Sequence, residues 1–141
     1  MGVQSSKNIV LSMLAVLGAA FGGWSGTNGL LFICMAVDYG SGLMVGATGN
    51  SPKTEGGGLS SKVSFTGICR KMLIILLLII ANYADKALGV DYIRNATCYF
   101  FIGNEALSIF ENAGLLGLPI PPKIKSVFEM LREKGNGDDN A

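Results

Sequence analysis

A nearly pure leucine and isoleucine run at Met72–Ala81 most strongly constrains how this chain folds. With its softer continuation through Asp85 to Leu88, the apolar segment at residues 70–88 reaches the roughly 20 residues that cross a bilayer as a helix. A helix satisfies its own backbone hydrogen bonds, as the hydrocarbon interior requires. The run therefore predicts a transmembrane helix.

Three more segments are long and predominantly apolar, at residues 9–24, 30–49 and 95–116. The first is short for a span, although Lys7 and Trp24 suit the two interfaces; a cleaved signal peptide is the competing interpretation. The sequence therefore predicts an all-α, polytopic integral membrane protein whose transmembrane domain covers residues 1–118. Four transmembrane helices are expected, with three as the alternative.

The amino-acid composition limits the kinds of function that the chain can have. Hydrophobic residues make up 50% and charged residues 15% of the chain, against roughly 25% charged in soluble domains. A net charge of +1 favours no nucleic-acid partner. The absence of histidine excludes Ser-His-Asp and Cys-His catalysis and histidine metal sites. The odd set Cys34, Cys69 and Cys98 contains no CxxC pair, so packing is the better interpretation. We expect no enzyme activity, catalytic residue, metal or cofactor.

The distribution of lysine and arginine residues predicts how the chain is oriented in the membrane. Residues 50–69 form a glycine-rich polar loop around Gly56-Gly57-Gly58, which is either a timing element or only a linker. Basic residues concentrate on this side and after the last span. Those expected to anchor the chain at the cytoplasmic surface are Arg70, Lys71, Lys123 and Lys125. Four spans then place both termini in the cytoplasm of a bacterial cell, with the protein in its inner membrane.

Small and acidic residues inside the spans suggest where the helices pack. Glycines four residues apart let helix backbones approach closely in lipid, and such pairs occur at Gly18 and Gly22 and at Gly42 and Gly46. Asp38 and Asp85 fall within predicted spans, where an ionised side chain is costly and normally faces protein or water. We expect both carboxylates to face water or a protein partner rather than lipid.

The fourth predicted span carries a polar stripe. At 3.6 residues per turn, one face of the helix is apolar and the other presents Asn104, Glu105, Ser108, Glu111 and Asn112. In a soluble protein this stripe would be an ordinary solvated face. In a membrane it predicts a surface that faces water or a neighbouring subunit, since a ring of copies can line a hole. For Glu111 and Asn112 the alternative is that they end the span at the cytoplasmic interface.

The chain after the fourth span predicts one more helix. Pro121-Pro122 is placed to begin it, and apolar residues recur at helical spacing through residues 119–134, with charged residues mostly on the other side. This pattern predicts a cytoplasmic amphipathic helix that lies on the membrane surface or packs against a neighbouring subunit. Residues 135–141 are predicted to be disordered.

Several short motifs occur in a characteristic order. They are Asp38-Tyr39-Gly40, Gly67-Ile68-Cys69-Arg70-Lys71, Asn104-Glu105, Ser108-Ile109-x-Glu111-Asn112 and Gly117-Leu118-Pro119-Ile120-Pro121. With these motifs the chain resembles the bacteriophage holin family, which also includes clostridial toxin-secretion holins. The resemblance covers residues 30–130, and its specific part is the segment Asn104–Pro121.

The resemblance implies a small protein of the host inner membrane, made late in phage infection. Holins accumulate, oligomerise and open lesions at a set time. An endolysin, or a toxin in the toxin-associated relatives, then reaches the outside without necessarily touching the holin. The implied partners are further copies of the chain and the lipid bilayer, and the family brings no catalytic residues. A non-lytic small channel, a transporter subunit or a membrane scaffold is the alternative, although the internal repeat typical of transporters is not evident.

Overall fold

The computed structural model describes residues 2–137 of the chain. This range contains five α-helices. The helices are α1 (Gly2–Ala20), α2 (Gly26–Ala47), α3 (Ser61–Leu88), α4 (Ile93–Leu115) and α5 (Pro122–Asn136). This range contains no β-strand, and the all-α prediction is confirmed. α5 continues through Gly135, which was predicted to lie in a disordered tail, and is capped after Asn136 by Gly137, with a φ of +80°. The rest of the predicted tail, residues 138–141, lies outside the described part.

Three helices, α1, α2 and α3, are long and apolar enough to cross a membrane. α3 is the longest, with 28 residues, or about 42 Å at about 1.5 Å per residue, against about 30 Å of hydrocarbon. It begins earlier than predicted because the Ser60 hydroxyl accepts a hydrogen bond from the Val63 N–H and caps the first turn. The loop before it is therefore residues 48–60, shorter than the predicted 50–69.

α2, α3 and α4 pack into a three-helix bundle. α2 and α4 run in the same direction, since Cys98 contacts Asn28 near their first turns and Asn112 contacts Ser41 further along. The buried apolar core consists of Phe21, Leu31, Cys34, Met35, Ile74, Leu78, Cys98 and Ile102. Cys34 and Cys98 are buried there as free thiols, in the packing role predicted from the sequence, whereas the Cys69 thiol is exposed.

α1 is not part of this bundle. Its side chains from residue 3 to residue 17 are all exposed. Packing begins only in the last turn of the helix, at the buried Gly18. In the turn that follows, the rings of Phe21 and Trp24 meet edge to face and both contact the ring of Phe32 in α2. In the single chain, the largely apolar part of α1, from residue 9 to residue 17, is therefore exposed on every side.

The glycines predicted to pack on α1 do not share a helix face. α1 ends before Gly22, which lies in the following turn with a φ of +89°. A Cβ at Gly22 would meet the side chains of Arg94 and Asn82, so the turn is pressed against the bundle. Gly18 makes room instead for the indole of Trp24. Both glycines serve the turn between α1 and α2.

The second glycine pair lies on the face of α2 towards the α2–α3 loop and α4. A Cβ at Gly46 would come 2.8 Å from the Leu59 side chain of the loop, so the absence of a side chain lets the loop close on the helix. Gly42 faces the amide of Asn112 in α4. These contacts lie within one chain.

α5 doubles back along α4. The rings of Phe128 and Phe110 meet edge to face with centroids 5.4 Å apart. A Cβ at Gly103 would come 2.6 Å from the Phe128 carbonyl oxygen, and one at Gly135 would come 2.5 Å from Phe100. The helix predicted to lie on the membrane surface or against a neighbouring subunit packs in the single chain against α4, as one arm of a close-packed hairpin. We call it the α4–α5 hairpin.

Candidate functional site

One lysine joins three helices in the interior of the bundle. The ammonium of Lys71 in α3 lies 2.7 Å from Oδ2 of Asp38 in α2 and also contacts Oε2 of Glu105 in α4. These side chains are mostly buried, with 16% exposed for Lys71, 17% for Asp38 and 7% for Glu105. We call the three residues the ion triad; two carboxylates and one ammonium give it a negative formal charge.

The ion triad lies deep in the bundle. Because α2 runs from residue 26 to 47 and α4 from 93 to 115, Asp38 and Glu105 both fall near the midpoint of their helices. Charges removed from water at such a depth need partners, since an unpaired buried charge is strongly destabilising. Lys71 supplies that partner for both carboxylates.

Asn112 extends the polar interior. Its amide donates a hydrogen bond of 2.8 Å to the Ser41 hydroxyl and weaker ones of 3.4 Å to the Asp38 carbonyl and carboxylate oxygens. Among the described residues, every buried side-chain nitrogen or oxygen has a hydrogen-bond partner. The polar groups inside the bundle are thus satisfied by one another, which is the condition for placing them in a membrane.

A cavity of about 80 Å³ opens beside the ion triad. Asp38, Lys71 and Asn112 line it together with residues 51–54 and 58–60 of the α2–α3 loop. The glycine-rich loop therefore lines a recess of mixed polar and apolar character that reaches the buried charges.

The predicted polar stripe of α4 divides into two faces. Glu105 and Asn112, seven residues apart, point into the bundle and are buried. Asn104 and Glu111 are exposed, and Ser108 is partly buried. Because a helix turns about 100° per residue, the five polar side chains spread around the axis over an arc too wide to face a single neighbouring helix. The inner pair holds the bundle together, and the outer three remain at the surface.

The outer three residues adjoin the charged side of α5. Together the two helices form a polar groove, which we call the α4–α5 groove. It is lined by Asn104, Ser108, Glu111, Lys125, Glu129 and Arg132, together with one leucine of α4. The groove carries charges of both signs.

Asp85 ties the end of α3 to the beginning of α4. Its carboxylate accepts hydrogen bonds from the backbone N–H groups of Ile93 at 2.9 Å and Arg94 at 3.0 Å. These donors are left free at any helix N-terminus, and a negative charge there is favoured by the helix dipole. Asp85, the second acidic residue predicted to lie within the membrane, therefore caps the N-terminus of α4 from the end of α3.

Three further side chains fasten the turn between α1 and α2 to the same end of the bundle. Asn82, Arg94 and Asn28 donate to backbone carbonyls at residues 20, 22 and 23, at 2.9, 2.8 and 2.6 Å respectively. We call these three residues and Asp85 the polar clasp. The roles of Asn82, Arg94 and Asn28 were not predicted from the sequence, because polar residues beside a turn normally face water. Their position next to the apolar ends of helices was the only indication that they contact the bundle.

The predicted cytoplasmic anchors have different surroundings. Arg70, Lys123 and Lys125 are exposed, and Lys125 borders the α4–α5 groove. Lys71 lies in the ion triad, although adjacent to Arg70 in sequence, because consecutive helical residues point about 100° apart. Within residues 2–137 there is no group of three or more acidic, cysteine or histidine side chains that could hold a metal ion.

Comparison with known proteins gives a consistent family. A probable holin of Bacillus phage phi105 is 35% identical over 88 residues, covering 59% of this chain and 65% of the relative. An uncharacterized protein of Halalkalibacterium halodurans is 37% identical over 129 residues, covering 84% and 90%. An uncharacterized 14.9 kDa protein of Clostridium perfringens is 34% identical over 116 residues, covering 81% and 83%. No solved structure matches the chain.

The family profile that matches is that of the bacteriophage holin family, over residues 15–133. This range begins inside α1 and includes the ion triad, the polar clasp and the α4–α5 groove. It confirms the resemblance seen in the motifs, and the family is not one of enzymes. With a match over most of its length and three helices suited to a bilayer, the chain is a membrane protein that belongs to the bacteriophage holin family.

Proposed function

We propose that this protein is a holin that oligomerises in the bacterial cytoplasmic membrane and opens lesions for timed host cell lysis. Membership of the holin family carries the proposal, and the similarity to the probable holin of Bacillus phage phi105 supports it. An endolysin that accumulates in the cytoplasm reaches the cell wall through the lesion without necessary contact with the holin. A secreted toxin would leave by the same route.

The proposed topology has four spans. α1, α2 and α3 meet the length and hydropathy of a span, and α4 packs against α2 and α3 along the bundle. If α2 and α3 cross the membrane, α4 crosses with them, and its buried Glu105 and Asn112 have partners there. The positive-inside rule then places the N-terminus, the α2–α3 loop and the connection between α4 and α5 on the cytoplasmic side.

The polar surface of α4 supports assembly into an oligomer. Asn104, Ser108 and Glu111 lie on the outside of the single chain, and a charged side chain in contact with hydrocarbon costs about 3 kcal/mol on insertion-based scales. A ring of copies removes that cost by turning these residues toward water or a neighbour. The ion triad already neutralises much of its own charge and needs no such shielding.

The proposal is tested by inducing the protein in a bacterial host with and without a co-expressed cytoplasmic endolysin, while membrane potential and turbidity are followed together. We expect abrupt depolarisation in both strains, and lysis only in the strain with endolysin. Gradual depolarisation without endolysin-dependent lysis would contradict a protein-sized lesion and indicate a small channel or a transporter subunit. Because overproduction of any membrane protein is toxic, endolysin release is the readout and not cell death.

A further inference from the structure

The α4–α5 hairpin is packed too closely to be a loose association of two helices. Backbone meets backbone at Gly103, where a Cβ would come within 2.7 Å of the Arg132 nitrogen. The Lys134 ammonium lies 5.0 Å from the centre of the Tyr99 ring, near the first turns of α4. α5 therefore packs against α4 over most of the length of α5.

This packing conflicts with a lipid environment on all sides of α5. The 15 residues of α5 include six charged side chains, namely Lys123, Lys125, Glu129, Arg132, Glu133 and Lys134. Phe128 lies beside Gly103, which is near the middle of α4. If α4 spans the membrane, the centre of α5 is at bilayer depth, and its charged side requires water there.

The two sides of the hairpin differ in character. On one side the α4–α5 groove joins the outward polar residues of α4 to Lys125, Glu129 and Arg132 of α5. Away from the groove, α5 exposes three apolar side chains three residues apart, which we call the apolar ridge. They are Ile124, Val127 and Met130, with 46%, 54% and 66% of their surface exposed. Lys123 and Lys134 share this side but lie near the two ends of α5, where long side chains can reach the bilayer surfaces.

We propose that the α4–α5 hairpin enters the bilayer as one unit and forms the water-facing wall of the lesion. The α4–α5 groove faces the aqueous lumen and the apolar ridge faces hydrocarbon near the bilayer centre. This inference rests on the proposed holin function and adds the C-terminal helix to the lumen wall. The alternative, an α5 that leaves α4 and lies on the cytoplasmic membrane surface, is an outcome of the test below.

The test uses the full-length protein in phosphatidylglycerol and phosphatidylethanolamine vesicles, with the exposed thiol removed by Cys69→Ser. A polarity-sensitive fluorophore is attached at Glu129→Cys in the groove or at Met130→Cys on the ridge, which are neighbours in sequence and serve as matched controls. Aqueous iodide and lipids brominated at shallow or deep acyl positions are the quenchers. Release of an entrapped dye by the unlabelled protein is measured in parallel.

We expect iodide to quench the probe at Glu129→Cys, and deeply brominated lipid to quench the probe at Met130→Cys more than shallow bromines do. Stronger quenching at Met130→Cys by shallow bromines, or by iodide at both positions, would overturn the hairpin wall and leave the lesion itself intact. No dye release from the unlabelled protein would overturn the proposed function and this inference with it.

A reversible cross-link supplies the second experiment. In the same background, Tyr99→Cys and Lys134→Cys are joined by a bifunctional methanethiosulfonate reagent, because these two side chains meet through their far ends and a direct disulfide needs Cα atoms within about 7 Å. If the hairpin persists in the lesion, dye release is retained after cross-linking. Release that is lost on cross-linking and restored by reductant would show that α5 must leave α4, which contradicts the proposal.

Discussion

The Lys71 ammonium of α3 lies 2.7 Å from the Asp38 carboxylate of α2, a contact between residues 33 positions apart in the sequence. The same ammonium contacts Glu105, so a single side chain holds three helices in register. Because both contacts lie in the interior, they fix the relative positions of α2, α3 and α4 at this depth. The consequences are open to direct measurement.

Replacing Lys71 with methionine should destabilise the bundle strongly. The substitution keeps the side-chain length but leaves Asp38 and Glu105 as buried carboxylates without a cation, and breaking a buried pair costs about 3–5 kcal/mol. We expect a lower thermal midpoint of the purified protein in detergent. Arg70→Met, which removes an exposed charge next to it, is the control and should change the midpoint little.

The triple variant Lys71→Met, Asp38→Asn and Glu105→Gln shows whether the stability lost in Lys71→Met comes from unpaired carboxylates or from changed packing. All three charges are then absent, and the buried amides are neutral. We expect much of the stability lost in Lys71→Met to return. A triple variant as unstable as the single one would show that the ammonium acts through its packing rather than through the carboxylates.

Asp85→Ala should weaken the beginning of α4. The variant leaves the Ile93 and Arg94 N–H groups without their acceptor, and loss of a helix cap typically costs about 1 kcal/mol. Amide hydrogen exchange in the first turn of α4 should become faster. Asp91→Ala, at an exposed position in the same turn region, is the comparison, and equal exchange in both variants would contradict the capping role.

Gly103→Ala should loosen the α4–α5 hairpin. The added methyl group has no space between the helices, and overpacking of this kind costs about 1–3 kcal/mol. Trypsin should then cut α5 sooner at Lys125 and Arg132. Gly114→Ala is the matched control, because a Cβ there meets nothing within 4 Å and alanine favours the helix by about 1 kcal/mol over glycine. Cleavage that is equally slow in both variants would contradict the close packing.

Deleting residues 3–17 should leave the three-helix bundle folded. All side chains in this range are exposed, and the buried core consists of residues from Phe21 onward, so the deletion removes none of the core side chains. In detergent, the shortened protein should melt near the temperature of the full chain. A large drop in that temperature would mean that α1 supports the bundle.

Much of this fold can be predicted from the sequence, because helix formation in lipid is a local property. Apolar runs such as Met72–Ala81 require a helix wherever they lie. The start of α3 was less predictable, since its first turns, from Ser61 to Arg70, are polar enough to suggest a loop. There the cap at Ser60 and the continuing helical geometry outweigh composition.

The polar contacts could not be predicted to the same extent. The position of Lys71 beside Arg70 at the edge of an apolar run is typical of an interfacial anchor, and its partners are 33 and 34 residues away. Helical periodicity shows which residues share a face but not which helix that face meets. The fold-back of α5 depends similarly on Gly103 and Gly135, whose role is visible only when the two helices are placed together.

The polar clasp makes the two ends of the bundle mechanically different. At one end Asn82, Arg94 and Asp85 bind backbone groups of both turns, so the helices there cannot separate without breaking several hydrogen bonds. At the other end the helices are joined by residues 48–60 and 116–121, and the part of the chain that the structure describes has no such side-chain bonds between these two connections. We therefore expect the clasped end to separate last. In the proposed orientation the opposite end faces the cytoplasm, so a lesion would widen first on the side where the endolysin waits.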